Sequence, residues 1–321
     1  MKDFVESFPM TIEKCTQKYR LLPPDASSIL YHYTSRSGLK GILKYGGLRA
    51  TYRKKMNDKA EFEYAKNVIH TAISQYLKRN DISTASRSIA EYTLINLQKK
   101  DDDSDAKSSS YCACLTFSSD DMDQWNTYAE SGNGFAIGFD WLKILNGRRN
   151  NVLIKQPFYY CSPVIYDEPE QNDLVINMLE SGINDLKNFG ETCSTNPSYL
   201  TAFRNRIIEE IVTQLYVISD FIKSPEYSSE REMRVFIDFN DGTLEAKNIR
   251  FFEKNGKSIP YLMFDFRNPQ TKILPICEIK VGPKATFEIE KKFVEERLAD
   301  IKPNWGDSVY PRITQSQFAI T

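Results

Sequence analysis

The chain has 321 residues, of which 41% are hydrophobic and 12% aromatic, enough for a substantial core and too apolar for a chain disordered throughout. Lysine and arginine (42) balance aspartate and glutamate (43), which excludes attraction of nucleic acid by overall charge and leaves only a local patch to do it. No apolar run approaches the roughly 18 residues of a membrane span, the six cysteines form no CxxC pair, and two histidines make an ordinary zinc site a poor expectation, so the reading is a soluble, cytoplasmic protein of a reducing compartment, without a metal.

"MKDFVESFPMTIEKC" carries acids and no unbroken apolar segment, so no signal peptide is expected there. "SILYHYTS" (28–35) reads as a strand rich in aromatic and β-branched residues. "SRSGLKGILKYGG" (35–47) reads as a short helix capped by Ser37, with Leu39, Ile42 and Leu43 on one face and Gly46 and Gly47 ending it. "LRATY" (48–52) is a second short strand. In "MND" (56–58), Asn57 or Asp58 is expected to cap the long helix that follows. Its apolar residues Phe62, Ala65, Ile69, Ala72, Ile73 and Tyr76 recur at helical spacing, and a further helix is expected over 85–98. The charged, serine-rich "KKDDDSDAKSSS" (99–110) reads as a solvated, mobile loop.

"YCACLTFS" (111–118) is the next strand, on which Cys112 and Cys114 share a face as small core residues. An acid-capped helix, "DDMDQWNTYAE", with Trp125 in the core, leads to the strand "GFAIGFD". One or two strands lie within "NVLIKQPFYYCSPVIY", and 168–222 is mostly helical with a break near "STNPS". "SSEREMRVFIDF", "NIRFFE", "IPYLMFDF" and "ILPICEIKVG" read as strands, 285–300 as an amphipathic helix, and "RITQSQFAI" as a last strand. With no repeat and no clean linker, the chain reads as one α+β domain over 1–321, carrying helical insertions near 60–98 and 168–222.

The glycines of "SGNGFAIGF" lie between a helix and a strand, the reverse of a dinucleotide-binding loop, so Gly132 and Gly134 are read as helix end and turn. In "EREMR", Glu230, Glu232 and Arg234 alternate, and a strand sends all three to one face. Carboxylates at that spacing repel, and the guanidinium offsets the repulsion; an exposed strand face with salt bridges is the plain alternative. His32 shares a strand face with Leu30 and Thr34, with Tyr31 and Tyr33 on the other. A buried histidine satisfied by a carbonyl is one explanation for it; a histidine facing a carboxylate across a cleft is another. The basic run Lys44, Arg49, Arg53, Lys54, Lys55 and Lys59 is either an exposed turn or a phosphate contact.

Taken in order, "LYHYTS…GLKGILKYGGLRAT", "MNDKAEFE", "LTFSSDDMDQWNTYAESGNGFAIGFD", "FIKSPEYSSEREMRVF", "ILPICEIKVGPKA" and "ITQSQF" resemble the bacterial family catalogued as domain of unknown function 2971. Their order is also similar to the ADP-ribosyltransferase fold, a split β-sheet core with a His or Arg on its first strand, a Ser/Thr or Tyr motif on a middle strand and a Glu on a later one. The paired acids look like one branch of that fold; the histidine looks like the branch of the poly-ADP-ribose polymerases and DNA-modifying toxins. The resemblance implies NAD as co-substrate, with Glu232 stabilising the ribose cation and Glu230 activating the acceptor. It implies a cofactor site of His32, Tyr33, Thr34, Thr116 and Ser118, in which His32 donates to a ribose or pyrophosphate oxygen, the tyrosines beside it pack, and Tyr52 or Tyr128 stacks on nicotinamide. Arg53, Lys54, Lys55 and Arg234 would hold the acceptor, nucleic acid (RNA or single-stranded DNA) ahead of protein. Such folds often serve as bacterial toxins or phage-defence effectors, with an antitoxin as protein partner. An NAD glycohydrolase on the same scaffold and a catalytically silent nucleotide- or partner-binding module are the alternatives.

Overall fold

The structure, a computed structural model, describes residues 29–53, 59–102, 108–144, 158–192, 197–240, 248–254, 256–268, 271–301 and 310–318. These residues fall into two compact units. The helical unit is built from the stretches Asn57–Lys107 and Val164–Ser228, and the strands named below all lie in the other.

In the sheet unit, β1 (Ile29–Thr34) runs into α1 (Arg36–Tyr45). Ser35, rather than Ser37, caps that helix, because its side chain accepts the Gly38 N–H while the Ser37 hydroxyl bonds to Ser35 at 2.9 Å. Gly46 ends α1 at φ 78°, a left-handed position open to glycine, and Gly47 already begins β2 (Gly47–Tyr52). There follow β3 (Ser108–Thr116), the short helix α4 (Met122–Tyr128) capped by Asp121, β4 (Phe135–Asp140) and β5 (Phe158–Pro163). The C-terminal part supplies β6 (Glu232–Asn240), β7 (Arg250–Lys254), β8 (Lys257–Asp265), β9 (Ile276–Val281), α7 (Phe287–Asp300) and β10 (Arg312–Gln315).

The ten strands form one sheet that divides at β3. Thr116 pairs with Tyr31 of β1 and with Glu232 of β6, while Cys112 pairs with Thr51 of β2 and with Phe236 of β6. β6 therefore occupies one edge of β3, and β1 and β2 share the other edge at its two ends. One branch continues β1–β4–β9–β10 and the other β2–β8–β7, with β5 outside β6. The α+β reading stands, and the sheet forks.

Residues directly across antiparallel strands share a face, so register fixes the two sides. Leu30, Leu48, Ala50, Leu115, Phe139, Met233, Leu262 and Phe264 make the apolar side and pack with Leu39, Ile42 and Leu43 of α1 and Val294 and Leu298 of α7. Each of these leucine, isoleucine, valine, methionine and phenylalanine side chains contributes roughly 1.5–3 kcal/mol by burial. The other side is polar and aromatic. There α4 packs Trp125 and Ala129 onto Tyr31, Tyr33 and Ala136.

The helical unit holds α2 (Lys59–Leu77), α3 (Thr84–Asp102), α5 (Glu168–Thr192) and α6 (Pro197–Ser219) around Ala65, Ile69, Ile73, Leu174, Leu179, Ile211 and Leu215. These are the stretches whose periodicity predicts helix. Of the stretch 99–110 expected as a loop, 99–102 complete α3 and 108–110 begin β3. Residues 103–107, like Asn57 and Asp58, lie outside the described residues.

Candidate functional site

Strand β6 starts at Glu232, so the expected alternation over Glu230, Glu232 and Arg234 does not hold. Pro225–Glu230 form a 3-10 turn, and Arg231 is left-handed at φ 44°, a conformation that costs a non-glycine residue about 1 kcal/mol or more. That kink takes Glu230 off the strand face. The turn is pinned from β3: the Thr116 hydroxyl donates to the Glu230 carbonyl at 2.7 Å and accepts the Ser118 N–H at 3.0 Å, and the Phe117 N–H donates to the Arg231 carbonyl at 3.1 Å. Thr116 thus holds the turn that introduces Glu232, and its hydroxyl is engaged twice.

Glu232 and Arg234 do share a face, and both are buried. Arg234 Nη2 lies 2.9 Å from Glu232 Oε2. Across β3 their partners are Thr116 and Cys114. The Cys114 thiol is pushed well above its ordinary range by its hydrogen bond with Cys112, by burial and by the nearby charge of Glu232. It is a packed thiol rather than a nucleophile, in line with the core role expected for this pair.

His32 is held where the sheet forks. β1 pairs with β3 only at Tyr31, and one strand turn further along the same edge the His32 Nδ1 meets the Cys114 carbonyl oxygen at 3.0 Å. A carbonyl only accepts, so Nδ1 carries the hydrogen. Burial lowers the His32 pKa below its ordinary value, opposed by this hydrogen bond, and the ring is neutral at pH 7. Nε2 is then an acceptor. His32 is expected to donate to a ribose or pyrophosphate oxygen; in the structure its Nδ1–H is engaged by the Cys114 carbonyl. Its cross-strand partner is Ile137, on the apolar side, whereas Glu232 lies on the polar side. The two leave the sheet on opposite sides.

The remaining expected residues separate by environment. Tyr33 is a packing residue: its hydroxyl donates to the Ser118 carbonyl at 3.1 Å and accepts the Asp121 N–H at 3.0 Å, and its ring meets Trp125 edge-on at 4.7 Å. Thr34 is buried on the apolar side against Gly38. Ser118 is half-buried, with backbone groups bonded to Thr116 and Tyr33. Tyr52 tilts against Tyr111 of the core at 5.5 Å, while Tyr128 is 50% exposed at the end of α4 on the polar side. Arg53 is half-buried after β2, Arg234 is tied to Glu232, and Lys54 and Lys55 lie outside the described residues.

Two further carboxylates, Asp120 with its side chain 7% exposed and the buried Glu278, carry no distinct signal in the sequence. Asp120 accepts from Trp125 Nε1 (2.7 Å), Ser316 Oγ (2.8 Å) and the Gln317 N–H (2.8 Å), with Lys280 Nζ at 3.5 Å. Glu278 accepts from the Tyr31 hydroxyl (3.1 Å) and from Thr314 Oγ1 (2.8 Å). Burial and the Glu278 charge raise the Tyr31 pKa, so it remains a phenol. The available signal was "SSDD" after a strand, read only as a helix cap, and the lone acid in "CEIKV".

Residues 124–235 match the model of a family described as protein of unknown function (DUF2971). The matched stretch begins in α4 and ends in β6, so it contains Tyr128, Glu230, Glu232 and Arg234 and leaves out His32 and Thr116. No curated protein and no solved structure matches the chain. Among the described residues no helix is long and apolar enough to cross a membrane, and no group of three or more His, Cys, Asp or Glu is placed to hold a metal ion.

Proposed function

We propose that the protein is an NAD-dependent ADP-ribosyltransferase whose acceptor is nucleic acid. The observation that carries this reading is the pairing of Thr116 with both neighbours, which sets the histidine strand, the Thr/Ser strand and the glutamate strand side by side at the fork. In the reaction the nicotinamide–C1′ bond of NAD breaks and its electron pair leaves with nicotinamide. The ribose is left as an oxocarbenium-like centre, which the acceptor oxygen or nitrogen attacks while losing its proton. Glu232, low-dielectric and backed by Arg234, stabilises that cation. Glu230, displaced from the strand by the Arg231 kink, takes the acceptor proton. His32 Nε2 accepts a ribose hydroxyl hydrogen and fixes the sugar, and Tyr128 offers the aromatic face for the nicotinamide cation. In this reading one dinucleotide meets Glu232 on one side of the sheet and His32 on the other. A bacterial toxin or phage-defence role is an analogy with what such folds do.

One observation favours a second reading, a silent nucleotide-binding module: Glu232 is buried against Arg234 and lies on the opposite side of the sheet from His32. The experiment uses NAD labelled on the adenylate phosphate, mixed separately with total RNA, denatured DNA and lysate protein, with wild type beside Glu232→Gln. Label entering a nucleic-acid pool and absent with the variant, whose circular dichroism is unchanged, is the expected result. Nicotinamide release without label would make the protein a glycohydrolase. Neither signal, with NAD raising the melting temperature, would leave the silent module.

A further inference from the structure

We propose that the polar side of the β2–β8–β7 branch is a stacking platform for single-stranded nucleic acid. Leu48, Ala50, Leu262 and Phe264 turn the apolar side of these strands into the core, so alternation sends Arg49, Thr51, Tyr261 and Met263 to the other side. Arg250 pairs across from Tyr261, and Phe252 from Ile259, on that same side. The Arg49 guanidinium is exposed, 5.3 Å from the Phe252 ring centroid and 5.0 Å from that of Tyr261, and the two rings meet edge-on at 5.7 Å. Arg250 and Lys257 are exposed beside them. Among the described residues of these strands the acid on this side is Asp265, whose two carboxylate oxygens accept from the Arg267 Nε–H at 2.9 and 3.1 Å.

Cationic groups set among aromatic rings fit a chain that alternates phosphates with planar bases. Rings stack only on bases that are not already stacked in a duplex, which selects single strands. An acidic peptide would satisfy the guanidinium groups and leave the rings unmatched. The platform is also continuous with the carboxylate: Thr51, Cys112 and Phe236 pair across β2, β3 and β6, and Glu232 lies on the same side of β6 as Phe236. A strand laid over the branch leads to Glu232. This deepens the acceptor half of the proposed function, and its binding measurement needs no NAD.

The measurement is fluorescence anisotropy of a labelled oligothymidylate of roughly 12 nucleotides with the full chain at low and rising salt. Arg49→Gln/Phe252→Ala is expected to bind roughly tenfold more weakly than wild type, and a duplex of the same sequence to compete poorly. Arg250→Gln, an exposed edge-strand change that leaves the core untouched, is expected to reduce the slope of log affinity against log salt by about one. Equal affinity of wild type and both variants, absence of binding at low salt, or displacement by polyglutamate as effective as by unlabelled oligothymidylate would each overturn the proposal. Label entering protein alone, with oligonucleotide still bound through Arg49 and Phe252, would end the nucleic-acid acceptor reading and leave the platform standing. RNA labelling by the Arg49→Gln/Phe252→Ala variant at wild-type efficiency would do the reverse.

Discussion

Asp120 and Glu232 are both carboxylates withdrawn from solvent in the sheet unit, with side chains 7% and 9% exposed. Asp120 gathers donors from three places: the indole of α4, Lys280 of β9, and the segment after β10, where Ser316 and Gln317 are nearly two hundred residues away in sequence. One carboxylate thus bonds to α4, to β9 and to the segment after β10. The Glu232–Arg234 pair joins side chains that the strand already keeps two residues apart. Buried ion pairs of this kind are weak evidence of stabilisation. Burial of charge alone therefore does not distinguish a structural residue from a functional one.

The largest effect should come from Asp120. Replacing it with alanine strands the indole N–H, the Gln317 N–H and a mostly buried ammonium at once, and is expected to cost about 3–5 kcal/mol in urea unfolding. Changing both members of the other pair, Glu232→Gln with Arg234→Met, removes the charges together, and is expected to cost about 1 kcal/mol or less while ending turnover. If the double variant unfolds as readily as Asp120→Ala, the Glu232 pair is structural and the contrast fails.

The helical unit sharpens the contrast with an uncharged hub. Gln171 is fully buried, and its amide donates to the carbonyls of Ile165 and Lys223, both at 2.8 Å, while accepting from the Tyr64 hydroxyl at 3.0 Å. It closes the short pairing of Ile165 with Ile222 onto α5 and α2. Gln171→Leu leaves two carbonyls without that donor and is expected to cost about 2–3 kcal/mol. Hydrogen exchange should report the loss first in α5 and α6; an effect confined to β6 would contradict it.

The helical unit was legible in the sequence because a helix is written locally: the apolar spacing of Ala65, Ile69 and Ile73 predicts its own buried face. Strand positions were legible for the same reason, through the alternation in "YCACLT" and "REMRVF". Strand order was not, because β3 meets β6 more than a hundred residues later, and no local pattern encodes that Thr116 will face Glu232. The extra residue of twist at Arg231 was equally hidden. A left-handed arginine has no sequence signature, and it is what separates Glu230 from the strand face that alternation assigned to it. The hydrogen-bond role of His32 was hidden too, because its Nδ1 meets the Cys114 carbonyl, which the pairing of β1 with β3 brings beside it.

That carbonyl also sets the smallest of the expected effects. Burial holds the folded-state pKa of His32 below the ordinary 6.5, so the neutral ring is favoured by folding. Above pH 6.5 both folded and unfolded chains carry a neutral ring, and stability is insensitive to this residue. As pH falls below 6.5 the unfolded chain binds a proton that the folded chain refuses, so stability declines, by at most about 1.4 kcal/mol per pH unit, until the lowered folded pKa is reached. His32→Phe removes the titration and leaves a constant penalty at the Cys114 carbonyl. The difference in unfolding free energy between wild type and His32→Phe should therefore be flat from pH 8 to 7 and narrow steadily below 6.5. Parallel curves down to pH 5 would mean that His32 titrates as if exposed, and the Nδ1–H tautomer, with Nε2 as acceptor at the fork, would have to be given up.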